Sequence, residues 1–141
     1  MTRPDVLAFF ANRQVHWNAH DVAALAAGHC EDGVIQSPMH GKRQGREAIA
    51  DSYTALFGAF PDWRFTSDDM LIDEDRVAQV FSAEATHVGE FMGLPGTGRK
   101  AQIHGARIMR LENNLIKEEL RVYDFTLLLM QVGVLRGKPG H

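Results

Sequence analysis

A single cysteine, Cys30, stands among 141 residues, which excludes an internal disulfide and suits a reducing compartment. No charge of one sign dominates: 15 Lys and Arg against 18 Asp and Glu give a formal net charge of −3. There is no basic stripe and no RNP, helix-turn-helix or zinc-finger spacing, so a nucleic-acid partner is not expected. No apolar run reaches bilayer length, and the opening MTRPDVLAFFANRQ turns polar too soon for a signal peptide. No membrane partner is expected, and the cytoplasm is the default address. Internal repeats, low-complexity tracts and linkers are missing too. GLPGTG at Gly93–Gly98 lacks the Lys-Ser/Thr of a phosphate-binding loop, and no Ser nucleophile elbow or Cys triad is present. His16 and His20 are spaced four apart, but the chain breaks between them and no HExxH glutamate accompanies them. No metal is expected.

What is there suffices for one core. The chain is 45% hydrophobic, consistent with a single domain over 1–135 and a polar tail, Arg136–His141, that frays. Thr2 can cap a first helix with Pro4 and Asp5 in its opening turn. Leu7, Phe10, Gln14 and Trp17 fall near one face of it. Val22, Leu25, Ala26 and His29 line a short second helix, Gly33–Pro38 reads as a strand, and Gly41–Gly45 reads as a turn. Ile49, Tyr53, Leu56, Phe57 and Phe60 repeat at helical spacing until Pro61. Strands then take over at Trp63–Ile72, Val77–Val88, Gln102–Leu111 and Leu115–Tyr123, the last two joined across Glu112-Asn113-Asn114. Phe125–Val134 closes the domain as a helix. Helices first and a meandering sheet afterwards argue for an α+β fold, with a curved antiparallel sheet whose open mouth can hold a ligand.

The final third concentrates the chemistry. Leu120 and Val122 alternate with Glu119, Arg121 and Tyr123, and the segment runs through Asp124 into an apolar helix. Ionisable groups on one strand face, ending against an apolar helix, are the material of a small-molecule pocket.

Several segments resemble the SnoaL-like polyketide (ester) cyclases of the NTF2-like superfamily. They are Trp17-Asn18-Ala19-His20-Asp21, Gly45-Arg46-Glu47-Ala48-Ile49, Phe60-Pro61-Asp62-Trp63, Thr86–Pro95 with Thr97-Gly98-Arg99, Glu118-Glu119, Tyr123-Asp124 and Leu128–Gly133. The resemblance implies an NTF2-like conical barrel wrapped by the N-terminal helices. It also implies a homodimer through the outer sheet face, and a pocket of the kind that hosts cyclisation, isomerisation, hydration or dehydration. One departure stands out. The acid/base carboxylate of the aldol cyclases sits three positions before the residue matching Asp124, which here is Arg121. A cyclase His on the preceding strand falls at Arg107. Guanidinium is a poor proton shuttle, so that mechanism does not carry over by position.

Two roles stay open for each candidate residue. Arg107 and Arg121 can clamp a substrate carboxylate or an enolate with Glu119 as base, or the group can be a surface ion pair. Asp124 is either a second acid/base group or the cap of the last helix. His87 and His104 are candidate ligand contacts, although strand parity sets His104 opposite Arg107. Trp17, Phe60, Trp63, Phe91 and Met92 can line a cavity or pack a core, with Phe91 and Met92 the better lid residues. The leading expectation is a cofactor-free enzyme acting on a hydrophobic carbonyl compound, with Tyr123 positioning the substrate. The alternative is a non-catalytic binding module for a small acidic ligand.

Overall fold

The computed structural model describes residues 1–136; of the tail, all but Arg136 lies outside them. Helix α1 spans Arg3–Ala19. The Thr2 hydroxyl accepts from the Asp5 amide while the Asp5 carboxylate accepts from the Thr2 amide, a reciprocal cap that satisfies two orphan donors. Its buried stripe is Val6, Phe10, Arg13 and Trp17, rotated from the expected face; Leu7 is exposed. Helix α2 is Val22–Ala27, capped by Asp21. His29, expected on that helix, instead opens strand β1, His29–Ser37.

The expected turn at Gly41–Gly45 contains a short strand, β2, Gly41–Gln44, antiparallel to β1. Helix α3 is Arg46–Ala59. Strands β3, Arg64–Asp73, β4, Arg76–Thr86, β5, Lys100–Glu112, and β6, Leu115–Tyr123, form the meander. Asn113 and Asn114 both take left-handed backbone, with φ of 52° and 64°, the pairing a tight right-twisted hairpin needs. Helix α4, Phe125–Val132, ends at Gly133 with φ of 86°.

The six strands form one curved open sheet in the order β2-β1-β6-β5-β4-β3. It is not wholly antiparallel, because β1 runs parallel to β6. These two are far apart in the chain, and only the long connection through α3 and four strands lets them meet in that sense. α1 packs on β3, α3 on β1 and α4 on β5. Trp17, Tyr53, Phe60, Trp63, Phe65, Phe81 and Leu128 fill the main core, and Val6, Phe10, Met109 and Ile116 a second. Leu71, Val80, Ile108, Leu120 and Val122 are exposed at alternate positions on the outer face of β3–β6.

Candidate active site

The β5–β6 register sets the site. Arg107 pairs with Arg121, Met109 with Glu119 and Gly105 with Tyr123, so strand alternation turns all these side chains to the helix-covered face. A bulge at Lys117, which the register skips between Ile116 and Glu118, lets both Ile116 and Glu119 point inward. Arg107 is 3% exposed, Glu119 2% and Arg121 8%. The surface ion-pair reading is thereby removed: the charges lie inside.

Three helical and strand neighbours complete the cluster. Arg121 Nε donates to Glu119 Oε2 at 2.5 Å and its Nη2 donates to the Tyr53 hydroxyl at 3.3 Å. Arg13 donates to that hydroxyl from Nη2 at 3.0 Å and to the Leu25 carbonyl from Nη1 at 2.9 Å. His29 Nε2 lies 2.9 Å from the same oxygen. A phenol oxygen that accepts from two guanidiniums has its own proton left for the imidazole, so His29 Nε2 accepts and Nδ1 carries the hydrogen. Burial and the neighbouring Arg13 push the His29 pKa down to about 3 despite the opposing pull of Glu119, keeping the ring neutral.

Arg107 is different. Its guanidinium carbon lies 4.3 Å from the Trp17 ring centroid, 4.4 Å from Phe65 and 5.2 Å from Phe81. Its Nε is buried with no hydrogen-bond partner, and no carboxylate pairs with it among the described residues. Burial, with the Arg121 charge behind it, lowers its pKa to about 9, so it stays protonated near neutral pH. Burial alone would raise the Glu119 pKa. The guanidiniums of Arg121 and Arg107 outweigh that and hold it well below the carboxylate range. Glu119 is therefore a fixed anion and a weak base.

Both arginines open on a narrow chamber with a free volume of about 20 Å³. Leu56, Trp63, Phe81 and Ile103 give it apolar walls; Ser37, Met39, His40 and Tyr123 complete it. His40 Nε2 and Trp63 Nε1 are buried there without partners. Burial and the charges of Arg121 and Arg43 lower the His40 pKa to about 4, leaving a neutral imidazole. Burial raises the Tyr123 phenol to about 12.

The other expected contacts separate. Asp124 is exposed and its carboxylate accepts from the Leu127 amide at 2.9 Å, so it caps α4 away from the chamber. His104 is exposed on the outer sheet face, as parity with Arg107 requires. His87 follows β4, fully buried, with Nδ1 3.0 Å from the Thr97 hydroxyl and its ring against Phe60 and Phe91. It ties the 87–98 loop to the core. Trp17, Phe60 and Phe91 are core residues, Trp63 is a chamber wall, and Met92 is exposed. His20 stacks on Phe57 and bonds the Trp63 carbonyl, so it forms no pair with His16. Among the described residues, no group of three or more His, Cys, Asp or Glu is placed to hold a metal, and no helix is long and apolar enough to cross a membrane.

Sequence reasoning missed Arg13, the role of His29, and His40. Arg13 did carry a signal, lying three residues after Phe10 and four before Trp17. His40, in a turn with no periodicity, carried none.

The family profile described as SnoaL-like polyketide cyclase matches residues 10–132, and the chain belongs to that family. No curated protein sequence matches it. Among solved structures it is similar to AclR, a candidate hydroxylase from Streptomyces galilaeus, at 25% identity and a TM-score of 0.83, covering 98% of this chain and 87% of that one. IdmH, a candidate polyketide cyclase from Streptomyces antibioticus, shares 27% identity with a TM-score of 0.76, over 94% and 99% of the two chains. A protein of ketosteroid isomerase-like fold from Catenulispora acidiphila, in complex with trimethylamine, shares 19% identity at a TM-score of 0.72, over 94% and 95%. This last likeness is one of fold.

Proposed function

We propose that the protein is a small-molecule enzyme that moves a proton next to a carbonyl without a cofactor, leading to cyclisation, isomerisation or the addition or loss of water. One observation carries the reading: two directly opposed guanidiniums open on the same apolar chamber as an unpartnered neutral imidazole. Arg107 and Arg121 stabilise the negative charge that develops on the carbonyl oxygen, where a dry site makes such stabilisation large. His40 accepts the proton, taking the role that Glu119 and Asp124 are too committed to fill. Tyr123, protonated at any ordinary pH, orients the carbonyl. The chain acts as a homodimer, supported by the apolar outer sheet face, and works in the cytoplasm.

The test is hydrogen–deuterium exchange at the α-carbon of β-tetralone in D₂O, followed by NMR. Exchange above the buffer rate, cut about a hundredfold or more by His40→Ala, is the expected result. Exchange at the buffer rate, or an unaffected variant, contradicts the proposal. The second reading, a non-catalytic binding module, is favoured by the commitment of Glu119 to Arg121; it predicts binding with no exchange.

A further inference from the structure

The polar side of the chamber wall is rich in hydrogen-bond donors and, among the described residues, holds no carboxylate. Arg107 and Trp63 both line it, and Arg107 Nε and Trp63 Nε1 are buried without partners. The Ser37 hydroxyl accepts from the His40 amide, which leaves its own hydrogen to give. The Tyr123 phenol, raised to about 12 by burial, keeps its proton. The charge is unbalanced in the same sense. Three buried guanidiniums, Arg13, Arg107 and Arg121, face one buried carboxylate, Glu119, and with His29 neutral two positive charges are in excess. Arg13 and Arg121 are hydrogen-bonded within the protein. Arg107 is surrounded by ring faces, which attract a cation but accept no strong hydrogen bond from its N–H groups. Buried donors left unpaired are costly, and a buried cation without a counter-ion more so.

We infer that the chamber binds one small monovalent anion, of about the size of chloride, between Arg107 Nε and Trp63 Nε1. The free volume of about 20 Å³ exceeds the roughly 10–15 Å³ that a single water needs, so one particle of about that size has room. A water in that place would accept from the same donors but leave the excess charge standing, whereas an anion answers both. The anion acts as counter-ion to Arg107 in the free protein. Its binding is therefore read from stability and does not depend on the proposed reaction.

The experiment is urea unfolding of the full chain near neutral pH, at constant ionic strength, as sodium chloride replaces sodium gluconate, whose anion is far larger than the chamber. Once the site begins to fill, the ratio of folded to unfolded chain should rise about tenfold for each tenfold of chloride, as uptake of one ion requires. Arg107→Met should abolish the dependence. Trp63→Phe should raise the half-saturating chloride concentration about tenfold or more, the strength of one hydrogen bond to a charged group. Arg110→Met, which removes an arginine that pairs with Glu112 and Glu118, should leave the dependence intact. If Arg107→Met fails to fold, the Trp63→Phe shift decides in its place. Stability of the parent protein that is indifferent to chloride overturns the inference, since a neutral occupant such as water would then suffice. A dependence unchanged in Arg107→Met or Trp63→Phe, or lost in Arg110→Met, overturns it as well, because a general salt effect would then be the cause.

Discussion

One oxygen organises the buried charges: the Tyr53 hydroxyl accepts from Arg13 and Arg121 and donates to His29. Tyr53→Phe keeps the ring and strands three polar groups, so a loss of roughly 2–4 kcal/mol is expected in denaturant unfolding. Glu119→Gln leaves Arg121 without its counter-ion, and breaking a buried pair from one side costs about 3–5 kcal/mol. The histidines set the acid response. His29 titrates near 3 in the fold against an ordinary 6.5, so the unfolded chain takes up a proton that the folded protein refuses. The stability this contributes is fully present above about pH 6.5 and is lost as pH falls toward 3. His40, at about 4, acts in the same direction. Glu119, held low, adds a loss that begins as pH falls below its ordinary 4.5. Urea midpoints measured across this range should decline from near-neutral pH and steepen below about 4.5. His29→Gln should flatten the upper part; an unchanged curve would mean that His29 is not a buried neutral group.

At the scale of elements, the α2–β1 junction makes room for Arg13. A methyl on Gly28 would lie 2.3 Å from Arg13 Nη1, which is anchored at both Nη atoms, so Gly28→Ala should cost roughly 1–3 kcal/mol by overpacking. The α4 cap gives the complementary prediction. Asp124→Ala should lower stability by about 1 kcal/mol and leave β-tetralone exchange per folded molecule unchanged; a large loss of exchange would return Asp124 to the chemistry. The β5–β6 hairpin was readable in advance because its two signals are local: alternation over Glu119–Tyr123 and an Asn pair able to adopt left-handed backbone. The helix caps at Thr2 and Asp124 are local in the same way. β2 was not readable, since four polar residues become a strand only by lying beside β1. His29 was misplaced because the helical pattern of Val22, Leu25 and Ala26 continues through it, and tertiary pairing with Ile116 decides otherwise. The inward trio was legible from parity, but its partners Arg13 and Tyr53 come from elements whose contacts no local pattern fixes.

For the whole molecule, an open sheet leaves one face covered by helices and the other bare. Leu71, Val80, Ile108, Leu120 and Val122 form an exposed apolar set on that bare face, of the kind that marks association surfaces. The proposed homodimer predicts that the parent protein sediments at twice the chain mass and that Val122→Glu sediments as a monomer with its fold intact; a monomeric parent contradicts the assignment. The covered face carries the central claim, that β5 and β6 turn guanidiniums into a narrow, largely apolar chamber with one of them short of a counter-ion. The most direct measurement is the arginine side-chain NH spectrum of isotopically labelled protein, assigned through Arg107→Met and Arg121→Met. Slow exchange with water at both Nε positions is the predicted result. Rapid exchange at both, as for arginines in open solvent, would contradict it.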